Sequence, residues 1–194
     1  MERDRLKWNS RYAADGFFIG PHPSRYLAEQ IDLIESLVPG KKALDIACGE
    51  GRNSIFLARR GFCVTGIDIS DEGLDKAARR SAEEGVEITF LREDLESWEF
   101  SGSWDLILNL NFLLRDLIPK IISALNPGGI VLFETLLDSP LLPGVHTPAF
   151  LLQPGELVQL FARFAGVVRH HEERTGADSA TARLIFQKDA GRTG

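Results

Sequence analysis

Two carboxylates and a glycine turn carry the first chemistry legible in this chain. Asp45 stands four residues before Gly49 in Leu44-Asp45-Ile46-Ala47-Cys48-Gly49-Glu50-Gly51-Arg52-Asn53. Glycines at 49 and 51 admit positive φ and present no Cβ, so a ligand can approach the backbone there. The free N–H groups of a helix opening at Arg52 would face that ligand. Asp68 closes the apolar run Phe62–Ile67, seventeen residues past Gly51. A carboxylate at a strand end suits the two hydroxyls of a ribose, and one inside the preceding strand end, Asp45, can hold a cationic amine. The combination reads as a site for a nucleoside cofactor.

The elements that must position these groups alternate. Strand 42–47 leads to helix 52–60, and strand 62–68 to a helix opened by Ser70, Asp71 and Glu72 and running to about Ala82. Strands Val86–Leu91 and Trp104–Leu110 follow. A helix capped by Asp116, with Pro119 in its first turn, buries Leu117, Ile121, Ile122 and Leu125. Asn126-Pro127-Gly128-Gly129 reads as a sharp turn into strand Ile130–Thr135. Leu157, Leu160, Phe161 and Phe164 have helical spacing. Strands 167–172 and 181–187, separated by residues 174–178, suit an edge hairpin. Ahead of all this lie a helix over 3–14, a loop over 15–23 rich in Gly, Pro and Phe, and an amphipathic helix over 24–38. The apolar loop is either a strap packed on the domain or a lid over a ligand. Near-continuous apolar strands alternating with helices predict a parallel sheet covered on both faces. Its ligand site lies beyond the strands' carboxyl ends, where the glycine turn, Asp68, the 92–95 segment and Asn109–Phe112 converge.

The bulk properties narrow the partners. The chain has 194 residues, 44% apolar and 26% charged, enough for one domain with a full core. A net charge of −6 argues against a surface built to neutralise nucleic acid. No apolar run approaches the ~20 residues needed to span a bilayer, and Met1-Glu2-Arg3-Asp4-Arg5 has no secretory character. Two cysteines make no disulfide framework, and four scattered histidines show no metal spacing. A cytoplasmic protein without metal is expected, as a monomer or homodimer.

A dinucleotide fingerprint is met only in part, since Ser54 stands where G-x-G-x-x-G needs its third glycine. Neither tyrosine, Tyr12 or Tyr26, has the lysine four residues on that a short-chain dehydrogenase would use. The pattern Asp-x-x-Cys-Gly-x-Gly, with Asp68 and Asp94-Leu95 after the next two strands, instead resembles the class I S-adenosylmethionine-dependent methyltransferases. So do Ala124-Leu125-Asn126-Pro127-Gly128-Gly129 and the closing hairpin. Cys48–Ser54, Trp8-x-x-Arg11-Tyr12 and Pro154-Gly155-Glu156-Leu157 with Phe161 are similar to the branch containing tellurite-resistance and thiopurine methyltransferases. The resemblance covers roughly residues 5–188. One departure is Ala47, where many members have Gly.

The resemblance implies a Rossmann-like, seven-stranded, mostly parallel sheet with helices on both faces and a C-terminal antiparallel hairpin. It implies S-adenosylmethionine as cofactor and S-adenosylhomocysteine as product. Ala47, Cys48, Gly49, Gly51 and Asn53 belong to its cofactor turn. Asp45 would face the methionine amine, Asp68 the ribose, and Ile69 the adenine. Asp94 would accept from the adenine amino group, with the Leu95 N–H near the ring, and Asn109 would offer its backbone carbonyl near the methionyl amine. Arg52 or Arg11 would pair the methionine carboxylate, and Tyr12 would cover it. Each has a plainer role open to it: Asp94 has the form of an N-cap, and Cys48 that of a small buried filler.

Methyl transfer from a sulfonium needs alignment more than acid–base help. A thiol, with a pKa of about 8.5, ionises readily, so no dedicated base is required for one. The Asn109-Leu110-Asn111-Phe112 stretch lacks the prolines of base-modifying enzymes. Glu134, Asn111 and His146 are the polar candidates on the acceptor side. The expectation is one methyltransferase domain over 1–194, with 1–40 as N-terminal helices and lid, 136–155 as acceptor-side loop and 189–194 as a frayed tail. Its expected partner is a small-molecule acceptor, with soft thiol or chalcogen acceptors favoured by the resemblance. A non-catalytic S-adenosylmethionine sensor and an NAD-linked oxidoreductase are the alternatives.

Overall fold

The structure is a computed structural model that describes residues 2–140, 147–176 and 179–191. Two helices, α1 (Glu2–Tyr12) and α2 (Arg25–Leu37), precede the alternating part. There follow β1 (Lys42–Ile46), α3 (Arg52–Arg59), β2 (Cys63–Asp68), α4 (Asp71–Glu83), β3 (Ile88–Arg92) and β4 (Trp104–Leu110). The chain continues with α5 (Leu117–Ala124), β5 (Leu125–Leu136), α6 (Glu156–Phe161), β6 (Gly166–Thr175) and β7 (Ala180–Lys188). The strands form one sheet in the order β3-β2-β1-β4-β5-β7-β6. The first five are parallel, β7 runs antiparallel to β5, and β6 antiparallel to β7.

Every residue of β4 is buried, as a central strand covered on both faces requires. On one face, Leu27, Ile31 and Ile34 of α2 and Leu57 of α3 pack on Ala43, Leu106, Leu108 and Leu132. On the other, Leu117, Ile118 and Ile121 of α5 and Leu157 and Phe161 of α6 pack on Leu44, Ile46, Ile107 and Phe133. Burying each such side chain contributes ~1.5–3 kcal/mol, so the strand ends are clamped from both sides. Strand order reverses between β1 and β4, which puts the switch point beside the glycine turn.

Several local expectations change. β3 begins at Ile88, because the Val86 N–H is spent on Ser81 O at the end of α4. β5 already starts at Leu125, and the expected sharp turn at 126–129 lies inside it as a bulge: register with β4 passes from Trp104 opposite Leu125 to Leu106 opposite Ile130, and Gly128 has a left-handed φ of 77°. There Asn126 Nδ2 donates to Asp105 Oδ1 at 2.8 Å, holding the bulged start of β5 against β4. Asp116 makes no side-chain cap; its φ of −68° and ψ of −13° are already helical. Phe164 lies past the end of α6 yet packs on Phe161. Within the expected 136–155 loop the described residues include a short 3-10 turn at Pro148–Phe150 and a bridge between Leu137 and Leu152. Among the described residues no helix is long and apolar enough to cross a membrane.

Candidate functional site

The turn after β1 is stitched to β2. Cys48 N–H donates to Ile67 O at 2.9 Å, Gly51 N–H to Cys48 O at 3.0 Å, and Gly49 N–H to Asp68 Oδ2 at 2.8 Å. The other oxygen of Asp68 accepts the Ser70 N–H at 2.9 Å. Gly49 and Gly51 have φ of 53° and 75°, and Ala47 shares that left-handed region at 53°. A β-carbon on Gly49 would meet the Tyr12 hydroxyl at 2.5 Å, and one on Gly51 would meet Ala77 Cβ at 2.8 Å. Both glycines therefore make room for protein: Gly49 for the end of α1, Gly51 for α4.

Asp45 is 1% exposed and accepts from Ser54 Oγ at 2.6 Å. Burial pushes its carboxyl up to about 7, against the smaller opposing effects of Ser54 and Arg52. Asp68 is raised as well, since burial outweighs the Ser70 and Gly49 N–H groups. Cys48 is buried and its thiol is pushed well up, so its environment is that of a packed filler.

A hollow of about 330 Å³ opens where β2 and β3 end, lined by Ile69, Arg92, Glu93, Asp94 and Ser97 together with Glu2 and Arg5 of α1. Ile69 and Asp94 thus share one cavity. Asp94 also organises the next turn, accepting the Glu96 N–H on Oδ1 at 3.1 Å and the Ser97 and Trp98 N–H groups on its carbonyl. Leu95 is buried in the core on the α5 face.

At the ends of β4 and β5 the polar groups are mostly engaged. Asn109 is 1% exposed and its Nδ2 donates to Phe112 O at 2.6 Å. Asn111 has a left-handed φ of 59°, and its N–H donates to Glu134 O at 2.8 Å. Glu134 accepts from Arg183 Nε at 2.6 Å and Ser24 Oγ at 2.9 Å, and Arg183 Nη1 reaches Glu172 at 3.1 Å. That makes Glu134 a buried ion-pair partner rather than an unengaged carboxylate. Asn53 spends its side-chain oxygen on the Ser24 N–H at 2.8 Å. His146 lies outside the described residues.

The two arginines separate in role. Arg11 stacks its guanidinium on Trp8 and Phe18, 4.8 and 5.5 Å from the ring centroids. Arg52 opens α3 and donates to His22 O at 3.1 Å. Burial lowers its pKa, and Asp45 and Glu134 are the foremost charges favouring its cationic form. Tyr12 is buried against Trp8 and Phe18; that burial, then Asp68, raises its hydroxyl pKa.

Sequence reasoning missed what holds the 13–23 loop. Lys76 Nζ donates to the carbonyls of Ala14 and Gly16 at 2.7 and 2.9 Å and contacts Glu50 at 3.2 Å. Arg80 donates to Pro21 O, and Glu50 accepts the Phe18 N–H at 2.9 Å. Lys76 and Arg80 share a face of α4, the one signal available in advance; their carbonyl partners leave no mark on sequence.

The profile of a family described as "Methyltransferase domain" matches residues 43–129, from β1 to the bulged start of β5. A ubiquinone biosynthesis O-methyltransferase from Nitrosococcus oceani is 34% identical over 173 residues, covering 77% of this chain and 73% of its own. This chain belongs to the class I S-adenosylmethionine-dependent methyltransferases. Among solved structures, TehB from Haemophilus influenzae has a TM-score of 0.73 at 19% identity, over 84% of this chain and 62% of that one. The magnesium protoporphyrin IX methyltransferase ChlM from Synechocystis PCC 6803, solved with bound SAH, has a TM-score of 0.72 at 20% identity, over 97% and 99%. Likeness at such identities is likeness of fold, and it bears out the expected Rossmann-like sheet with a TehB-like neighbour. The chain spans less than two thirds of the length of the first curated relatives it matches, 65% and 58%. In this chain the family-matched stretch holds Asp45, Asp68 and Asp94, whereas α1, the 13–23 loop, α6, β6 and β7 fall outside it.

Proposed function

We propose that this chain binds S-adenosylmethionine across the ends of β1 to β4 and catalyses methyl transfer to a small acceptor. One observation carries the reading: Asp45, Asp68 and the Ile69–Asp94 hollow follow one another on adjacent strand ends around a single glycine turn. The residues fit the group. An ionised carboxylate offers about four lone-pair sites; Asp68 spends one oxygen each on Gly49 and Ser70, leaving capacity for ribose hydroxyls. Asp45 takes the methionyl amine, Ile69 lies against adenine and Asp94 accepts from its amino group. The Leu95 N–H lies near the ring, and Asn109 offers its carbonyl. Arg52, half-buried beside Asp45, is the better placed arginine for the methionyl carboxylate, since Arg11 is committed to its aromatic neighbours.

When bound, the sulfonium supplies a methyl group already activated for displacement. The protein's share is alignment and exclusion of water. Among the described residues Glu134, the carboxylate on the acceptor side, is committed to Arg183 and Ser24 and does not stand ready to take a proton. This favours an acceptor that sheds its own proton: a thiol or chalcogen hydride first, an acidic phenol second. The name of the Nitrosococcus relative, an O-methyltransferase, supports keeping the second class. Segments 1–40 and 136–155 wall the acceptor side of a single 1–194 unit in this proposal, in a cytoplasmic setting.

The test is methyl transfer from labelled cofactor to a panel of small thiols, selenols, phenols and amines, beside total RNA and protein. Turnover on small thiols or phenols is expected. Label entering only RNA or protein would reject the small-acceptor reading, and binding without transfer to any pool would reject catalysis.

A further inference from the structure

The hollow at the ends of β2 and β3 has walls of two origins. Ile69, Asp94 and Ser97 come from the strand ends, whereas Glu2 and Arg5 come from the first turns of α1. At about 330 Å³ it sits at the small end of the ~300–1,000 Å³ range for ligand pockets, room for one ring system rather than a whole cofactor. Helix α1 continues from there along the rest of the site. Asn9 accepts from Ser70 Oγ at 2.7 Å, and Tyr12 covers Gly49.

Arg5 is fixed at its edge of the hollow. Nη1 donates to Asp71 Oδ2 at 2.5 Å, and Nε and Nη2 donate to the two oxygens of Glu2 at 3.1 and 2.7 Å. Asp71, the first residue of α4, is held in turn by Arg92 Nε at 3.0 Å. Each nitrogen of the guanidinium is therefore engaged in its own plane by a carboxylate. What a planar guanidinium has left to offer is its flat face, which stacks on aromatic rings. Arg5 and the branched aliphatic Ile69 both line the hollow, and a guanidinium face together with an aliphatic side chain has the chemistry to hold a purine.

We propose that Arg5 forms the second wall of the nucleobase pocket, stacking on the purine ring of the cofactor opposite Ile69. The proposal rests on the S-adenosyl reading of the site and adds a contact from outside the family-matched stretch.

Calorimetric titration of the full chain with two ligands tests it. S-adenosylhomocysteine carries the base; S-ribosylhomocysteine keeps the sugar and amino acid without it. Arg5→Ala is expected to raise the Kd for the first about 5- to 30-fold, between the strength of an exposed and of a desolvated cation–π contact, and to leave the second within about twofold. Arg5→Lys keeps the charge without the flat face and is expected to recover less than half of the loss on a logarithmic scale. It also serves should Arg5→Ala melt early. Equal weakening of both ligands would make α1 a general cover and overturn the stack, as would unchanged affinity for S-adenosylhomocysteine. Failure of the unaltered chain to bind S-adenosylhomocysteine would refute the cofactor reading itself, and the stack with it.

Discussion

Ser24 donates its hydroxyl proton to Glu134, 2.9 Å away, across 110 residues of sequence. Its amide donates to Asn53 at 2.8 Å. One residue thus pins the end of the 13–23 loop to α3 and to β5. The anchor on the β5 side is itself a buried ion pair, Glu134 with Arg183, whose side chains are 8% and 10% exposed.

Breaking that pair from one side leaves an uncompensated buried charge. Glu134→Gln strands Arg183 and is expected to cost about 3–5 kcal/mol. Glu172, at 3.1 Å from Arg183 Nη1, offsets part of the loss. Replacing both with Glu134→Leu and Arg183→Met is expected to recover most of the stability, because two desolvation penalties vanish together. Urea unfolding of the two variants measures the difference. A single variant as stable as the unaltered chain would remove the pair from the account of the core.

Asp45 makes cofactor affinity depend on pH. In the free protein burial holds its carboxyl up at about 7, whereas the unfolded chain titrates near 4. The native state therefore binds more protons between those values. This group's contribution to stability is full below pH 4 and lost as pH rises through 7. An amine-bearing ligand wants the ionised form, so affinity moves the opposite way. The Kd for S-adenosylhomocysteine is expected to worsen nearly tenfold for each pH unit below 7 and to level off above it. Ser54, Arg52 and Asp68 are the groups that act on Asp45. Asp45→Asn is expected to flatten the profile. A slope that survives the substitution would assign it to Asp68, also raised by burial.

How much of this was legible beforehand follows from what each interaction leaves in sequence. Strand alternation and the Gly49–Gly51 turn place the carboxyl ends, because parallel strands buried on both faces must be apolar throughout. Asp45 and Asp68 could be singled out because a carboxylate among apolar residues at a strand end is conspicuous. The Glu134–Arg183 pair could not, since β5 and β7 register against each other only through the folded hairpin. The Lys76 and Arg80 contacts end on backbone carbonyls, which every residue carries. Gly49 and Gly51 read from sequence as openings for a ligand, and the structure adds that the space of their missing β-carbons is taken by Tyr12 and Ala77. A glycine's need for space is visible in sequence; its occupant is not.

The glycine finding yields a paired comparison. Gly51→Ala imposes left-handed strain at φ 75° and drives a β-carbon to 2.8 Å from Ala77 Cβ. Gly61→Ala carries the same kind of strain at φ 79° with nothing within 4 Å of the new atom. The strain alone is expected to cost about 1–2 kcal/mol. Overpacking against α4 adds about 1–3 kcal/mol at Gly51 only. Thermal or chemical unfolding of both variants isolates the second figure. Equal losses would mean that α4 shifts freely and that the close packing of turn on helix carries no weight.

The loop over 13–23 is held down by cations rather than by a core of its own, since Phe17, Phe18 and Ile19 remain 44–53% exposed. Lys76 is its chief fastening, with two carbonyls and Glu50 around one ammonium. Lys76→Met keeps the aliphatic stem and removes all three contacts. The Phe18 N–H then keeps its bond to Glu50, now without a countercharge, and the Phe18 ring keeps its packing on Trp8, Tyr12 and Arg11. Hydrogen exchange across residues 13–23 is expected to speed up about tenfold or more, corresponding to the ~1.5–3 kcal/mol of a charged hydrogen bond. Exchange in β1 and β4, buried under both helical layers, is expected to stay unchanged. Loosening of the strands as well would show that the loop and the sheet open as one unit. A loop that opens separately can admit ligand without disturbing the Asp45 and Asp68 strand ends beneath it.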